Sequence, residues 1–194
     1  PPSSTPPRSI VRAAPPDDDS AVPPGLLDPS RGGPYFGLVS SLPQDLQRKQ
    51  AALEAELRRA GRLLVAFSGG VDSSYLALAA RRALGDAALA VTAESPSYPQ
   101  SHRAMAERVA REFGIPHRFV ATAEMQSEAY RRNAADRCYH CKTELFQVLG
   151  RVRDELGFDA VAYGVNVDDR GDFRPGHRAA DEQGVLSPFL EVGL

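Results

Sequence analysis

The sequence predicts an α/β domain built on a parallel sheet with helices on both faces. Three observations carry that prediction. Short apolar runs and helix-forming segments alternate four times between residues 62 and 166, which is the pattern of βαβ units. Gly85, Gly114 and Gly157 each close one helical segment, as a glycine just past a helix end does. The stretch SGGVDSS follows the first apolar run directly, and in such sheets ligands sit at the carboxyl ends of the strands. Residues 68–73, 93–96 and those from 164 onward are therefore the ones to inspect for chemistry.

Residues 1–36 come first, and by Pro34 they hold ten of the sixteen prolines, with the acidic run Asp17, Asp18, Asp19. Such a composition buries too little apolar surface to offset its ordering entropy, so a disordered tail is predicted. Residues 37–61 carry an N-terminal helix. LPQDLQRKQAALEAELRRAG is rich in strong helix formers, and Leu42, Leu46, Leu53 and Leu57 fall near one face before Gly61. Residues 62–194 form the ligand-binding domain. RLLVAF is its first strand and VDSSYLALAARRALG its first helix. AALAVTAES is the second strand, YPQSHRAMAERVAREFG the next helix, and PHRFVATA the third strand. Residues 125–133 read as helical, and CYHCKTELFQVLGRVRDELG is a longer helix. FDAVAYGVN is the fourth strand, and GVLSPFLEV reads as a fifth, broken by Pro188. No fixed-period repeat occurs.

Hydrophobic residues make up 42% of the 194 and charged residues 25%, which suits a buried core. The formal net charge of −2 argues against a nonspecific nucleic-acid binder. No apolar run approaches the ~18 residues of a membrane span, and the N-terminus shows no secretory apolar region. Two cysteines make no disulfide framework, so a reducing, cytoplasmic setting is expected.

In AFSGGVDSSYL the two glycines let backbone amides approach a ligand and turn sharply. The helix start adds unpaired N–H groups and the positive end of a dipole. Hydroxyls of Ser68, Ser73 and Ser74 can add hydrogen bonds, so the stretch reads as a phosphate cradle. It matches neither the GxxxxGK[ST] nor the GxGxxG pattern. Asp72 is open to two readings: a first-turn acid answering the helix dipole, or a carboxylate beside phosphates that needs a bridging Mg²⁺. Ala66-Phe67-Ser68-Gly69-Gly70 also fits a relaxed nucleophile elbow, with Ser68 as nucleophile and a base among His102, His117, His140 and His177.

The whole string SGGVDSS resembles the pyrophosphate-binding loop, SGGxDS, of the PP-loop ATP pyrophosphatases, the adenine nucleotide α-hydrolases. That resemblance implies a HUP-like, Rossmann-like fold with the PP-loop after strand 1. It also implies ATP cleavage between the α and β phosphates, adenylation of a substrate and release of pyrophosphate. Three further segments, TAESPSYP, NAADRCYHCKTELF and YGVNVDDRGDFRPGHRAADEQGVLSPF, resemble the LarE-type sulfur transferases. The resemblance runs from about Leu63 to Leu190. It implies activation of the carboxylates of a pyridinium biscarboxylate mononucleotide as acyl-adenylates, then sulfur insertion, for a nickel-pincer nucleotide cofactor. The expected partners are a small-molecule nucleotide substrate and further copies of the chain, with no nucleic acid and no membrane. Other branches stay open: a tRNA-thiolating or amide-forming ATP pyrophosphatase, and a nucleotide- or cluster-binding module without turnover.

The same resemblance assigns roles. ATP contacts fall on Ala66, Phe67, Ser68, Gly69, Gly70, Asp72, Ser73 and Ser74, on Glu94 and Ser95 after the second strand, and on Gly164 and Asn166 after the fourth. Asp72, Asp168 and Asp169 are the Mg²⁺ candidates, and Asp72, Lys142 and Arg174 the catalytic ones. Arg137, Arg170, Arg174 and Ser187 are the substrate contacts. Plainer readings stand beside these: Asp168–Asp169 and Arg174-Pro175-Gly176 can be turns, and Glu94–Ser95 can simply end a strand. Lys142 is one of only two lysines against 21 arginines.

Cys138 and Cys141, the chain's only cysteines, share a helix face at i and i+3. A thioredoxin-like pair normally lies after the first strand of its fold, and zinc asks for about four ligands. A [4Fe–4S] cluster, which some members of the resembling group hold, takes at least three thiolates, and the resemblance implies Cys138 and Cys141 as two of them. That group carries its further cysteine downstream of the segment matching Leu186–Leu190, and this sequence stops at Leu194. The expectation is a truncated chain, because an uncovered fifth strand at the end of a sheet invites aggregation.

Overall fold

The computed structural model describes residues 42–94, 99–122, 137–168 and 175–194, and side chains at all of these except 137, 138 and 175. The Pro-rich tail, the first residues of the 37–61 segment and the 125–133 helix lie outside the described residues.

Four parallel strands form the sheet: β1 Leu63–Ala66, β2 Ala88–Glu94, β3 His117–Ala121 and β4 Ala160–Tyr163. Their order is β3-β2-β1-β4. β1 is central, with Leu63 paired to Ala88 on one side and to Ala160 on the other. All four of its residues are buried. A strand covered on both faces is expected to be apolar throughout rather than alternating, and LLVA is. The helices are α1 Gln44–Arg59, α2 Val71–Leu84, α3 Gln100–Glu112, α4 Arg137–Leu156, α5 Pro175–Glu182 and α6 Pro188–Val192.

Strand alternation divides the core in two. Leu63, Val65, Phe67, Ala90 and Ala162 face α1, α2, α3 and α6 through Leu53, Leu57, Leu76, Ala106 and Phe189. Leu64, Ala66, Val91, Val161 and Tyr163 face α4 and α5 through Phe146, Leu149, Ala179 and Ala180. The predicted two-sided α/β layering is present. Of the α1 leucines, Leu53 and Leu57 are fully buried, whereas Leu46 stands 40% exposed, so the apolar stripe is shorter than its sequence pattern.

The predicted fifth strand is not there. Leu186 makes one isolated parallel bridge to Ala162, and the chain then turns into α6. Pro188 suits the first turn of a helix, because its fixed φ is helical and its missing N–H would have had no partner there. Gly193 ends α6 in the left-handed region at φ 71°, ψ 35°. PFLEV is thus a short helix that buries Pro188 and Phe189, and the premise of an uncovered last strand falls away.

Leu57 is fully enclosed. Leu57→Ala is expected to lower unfolding free energy by about 3 kcal/mol through lost burial and the residual cavity. Urea denaturation should show this as a lower midpoint at unchanged slope.

Candidate functional site

The strand order reverses between β1 and β4, since β2 and β3 lie on one side of β1 and β4 on the other. A crevice at the carboxyl ends of two such strands is where open parallel sheets bind ligands. After β1 comes the loop Phe67–Gly70 and then α2. After β4 comes Gly164 and a turn through Asn166 to Asp168.

The loop is closed on itself around Ser73, a residue only 8% exposed. Its hydroxyl donates to Gly70 O at 3.1 Å and accepts from the Ser68 amide at 3.2 Å. A hydroxyl has one proton, so in the 3.1 Å contact between the two hydroxyls Ser68 Oγ is the donor. Ser68 Oγ in turn accepts from the Gly70 amide at 3.3 Å. Gly69 holds φ +77°, and a Cβ there would stand 2.9 Å from the Ala106 backbone of α3. Both facts require glycine. The hydroxyls of Ser68 and Ser73, expected to meet a ligand, also close the loop on itself, and Ser68 remains exposed. Ser74 Oγ is buried with no hydrogen-bond partner. The side chains of Ala66 and Phe67 lie in the two cores, so only their backbone can face the crevice. Helix geometry leaves the first-turn amides of α2 without intrahelical acceptors, at the positive end of its dipole.

Across the crevice, Gly164 meets this first turn. A Cβ on Gly164 would lie 2.8 Å from the Asp72 carbonyl carbon and 2.9 Å from Ser73 N. That contact brings Asn166 within reach of Asp72, and Asn166 Nδ2 donates to Asp72 Oδ2 at 3.4 Å. The amide orientation is set from the other side, because Asn166 Oδ1 accepts from the Asp168 amide at 3.0 Å. Asp168 itself is exposed on this turn.

At the end of β2, Glu94 forms an ion pair with Arg103 of α3, which also pairs with Glu107 at 3.1 Å and lies 4.0 Å over the Phe119 ring. Sequence reasoning missed this cation; only its place nine residues after Glu94, on the next helix, pointed to it. It also missed Thr92, and it weighed His117 only as a base for Ser68; both lie behind the loop. Thr92 Oγ1 donates to Phe67 O at 2.7 Å and contacts His117 Nε2 at 2.7 Å. Burial, helped by the Arg103 charge, lowers the His117 pKa from 6.5 to about 4.

From the other face, α4 sends Lys142 toward the crevice. Its Nζ lies 5.7 Å from the ring centroids of both Phe146 and Tyr163, and Tyr163 is the last residue of β4. Cys141 is half-buried on the same helix. Ser187 lies apart, in a cleft of about 240 Å³ with Glu56, Asp181 and Glu191 that no loop residue lines. Ser95, Asp169, Arg170 and Arg174 lie outside the described residues, as do the side chains of Arg137 and Cys138. Among the described residues, no group of three His, Cys, Asp or Glu side chains could hold a metal ion. None of the described helices is long and apolar enough to cross a membrane.

A parallel sheet with a glycine-turned, serine-closed loop at its switch point defines a PP-loop nucleotide-binding domain. The family description "Asparagine synthase" matches residues 47–147, just over half of the chain, and the chain belongs to this family of PP-loop ATP pyrophosphatases. It is 44% identical over 133 residues to an uncharacterised protein of Synechocystis sp., covering 69% of this chain and 50% of that one. It is 32% identical over 148 residues to the pyridinium-3,5-bisthiocarboxylic acid mononucleotide synthase of Lactiplantibacillus plantarum, covering 76% of this chain and 54% of that one. The chain therefore spans about half the length of these relatives. Its fold is that of an NH3-dependent NAD synthetase from Campylobacter jejuni, with TM-score 0.51 and 14% identity over 66% of this chain and 58% of that one. It is also that of the U34-tRNA thiolase NcsA from Methanococcus maripaludis, with TM-score 0.52 and 19% identity over 67% and 52%.

Two outcomes follow from this geometry. Gly164→Ala must push β4 away from α2 and is expected to destabilise the domain by about 2 kcal/mol through overpacking, measured by urea denaturation. His117 is neutral in the folded protein down to about pH 4, whereas unfolded it takes up a proton near 6.5. The unfolded state therefore binds more protons between those values. The stability this histidine confers is complete above 6.5 and is lost as pH falls toward 4. His117→Gln should flatten that part of the stability–pH curve, read by thermal melts from pH 7 to 4.

Proposed function

We propose that the chain is the ATP-activating domain of a sulfur transferase whose substrate is a pyridinium carboxylate mononucleotide. The observation that carries this reading is the Asp72–Asn166 contact spanning the β1/β4 crevice beside a prebuilt phosphate loop. The substrate class is supported by the mononucleotide synthase relative, together with the NxxDRCYxCKxxLF-like segment around Lys142.

A free carboxylate is a poor acyl donor. In the proposed reaction its oxygen attacks the α-phosphorus of ATP and the bond to the β-phosphate oxygen breaks. Pyrophosphate leaves with that electron pair. A sulfur nucleophile then adds to the acyl carbon of the adenylate, and AMP departs. The first-turn amides of α2 and the dipole behind them face the charge that develops on pyrophosphate. Magnesium commonly takes one or two protein carboxylates and completes its shell with phosphate oxygens and water. Asp72, oriented by Asn166, fits that donor set, with Asp168 on the neighbouring turn. Bound there, the ion would neutralise the leaving group's charge. Lys142, near the end of β4, supplies a positive charge for the substrate's anionic groups. The described residues do not complete a three-ligand cluster site, and no step here uses one.

The test is to supply ATP, Mg²⁺, the pyridinium biscarboxylate mononucleotide and inorganic sulfide as the sulfur nucleophile, and to measure AMP and pyrophosphate. Equimolar AMP and pyrophosphate, dependent on the pyridinium, are expected. Asp72→Asn should lower the rate about a hundredfold, the scale of removing one charge-stabilising element from such a site. Failure to bind ATP would sink the whole reading. AMP formation indifferent to the pyridinium would sink the substrate assignment alone.

A further inference from the structure

We infer that His117 and Thr92 together act as positioning residues for the phosphate loop, holding the Phe67 carbonyl from behind. This rests on the nucleotide-binding reading above, and it adds two residues that do not touch the ligand.

The proton bookkeeping gives the arrangement a direction. Thr92 is 2% exposed, and its hydroxyl lies 2.7 Å from both Phe67 O and His117 Nε2. A carbonyl oxygen only accepts, so the single hydroxyl proton points to Phe67. The hydroxyl oxygen is left as acceptor, and Nε2 must be the donor. The chain therefore runs from His117 Nε2–H to Thr92 O–H to Phe67 O. The ring is neutral at ordinary pH, since burial and Arg103 lower its pKa to about 4, so the tautomer is the Nε2–H one.

Phe67 is the hinge of the loop. Its amide donates to Val91 O at 2.9 Å, so both polar groups of this residue are tied to β2. The next residue, Ser68, opens the Ser73-centred network. The imidazole is itself clamped edge-on by Phe67, with centroids 5.1 Å apart, and by Phe119 at 4.6 Å. Charged groups nearby are Arg103 of α3 and its partners Glu94 and Glu107, which pair with one another. A histidine serving the core alone needs no polar link to the residue that opens the site.

Four variants separate positioning from packing. Thr92→Val keeps the shape and removes both hydrogen bonds, whereas Thr92→Ser keeps them. His117→Phe removes the donor, whereas His117→Gln returns an N–H near Nε2. Titration calorimetry with ATP and Mg²⁺ should show affinity about tenfold weaker in Thr92→Val and in His117→Phe, the scale of orphaning one buried partner. Thr92→Ser and His117→Gln should bind near the wild-type value. In the ¹⁵N spectrum of the wild-type imidazole, Nε2 should carry the proton. Unchanged binding in Thr92→Val, or a proton on Nδ1, overturns the inference. If Thr92→Val does not fold, rescue in Thr92→Ser and His117→Gln and the wild-type tautomer decide. If the wild type binds no ATP, the functional reading fails separately. The relay is then judged by exchange of the Ser68 amide, which must quicken in His117→Phe and not in His117→Gln.

Discussion

At the crevice between β1 and β4 two backbones touch, and the site depends on that contact. Gly164 stands against the Asp72 and Ser73 backbone, where a Cβ would lie 2.8 Å from the Asp72 carbonyl carbon. No side chain fits between the end of one strand and the start of the helix after the other. The closeness lets the β4 turn deliver Asn166 to Asp72. It also fixes the distance between α2, on one face of the sheet, and the strand end that α4 covers from the other face. Sheet order, helix placement and site geometry are therefore one constraint seen at three scales.

The loop obeys the same economy. Its serine hydroxyls already bind the loop's own backbone before any ligand arrives. Each such bond adds only about 1 kcal/mol net to stability. Their collective effect is geometric: they hold the chain between β1 and α2 in one shape. A cradle already in place needs little reorganisation when charge develops, and that is the main source of electrostatic catalysis. Thr92 and His117 extend the rigidity one layer deeper, to the residue where β1 ends.

Much of this was legible in the sequence. The parallel sheet followed from alternation, and the loop's place followed from SGGVDSS after a buried run. Gly85, φ +60°, and Gly114, φ +60°, do end their helical segments. The last segment misled because PFLEV is apolar and short, and short apolar runs do not separate strand from helix by period. Pro188 was read as a strand breaker when it is a helix starter. The loop-closing bonds of Ser68 and Ser73 were hidden for a different reason. A serine beside glycines can serve ligand or loop, and only the dihedrals decide. The contacts of Arg103, Thr92 and His117 were hidden because their partners come from other elements, 9 and 25 residues away in sequence.

The identity of the residue at position 72 now has a physical rationale. A phosphate loop with a lysine meets its ligand with a direct point charge. SGGVDSS has no cation, and Arg103, which pairs with the last residue of β2, is already matched by Glu94 and Glu107. In the proposed reaction the loop must therefore hold a polyanion with backbone amides and a helix dipole, which together amount to roughly half a unit charge. That is too little for a triphosphate unless a divalent cation joins it. Under that proposal, a carboxylate in the first turn, steered by an amide from across the crevice, would recruit that cation at the point where the leaving group's charge appears. On the proposed reading, an aspartate that would repel phosphate by itself is the means by which a loop without lysine binds it.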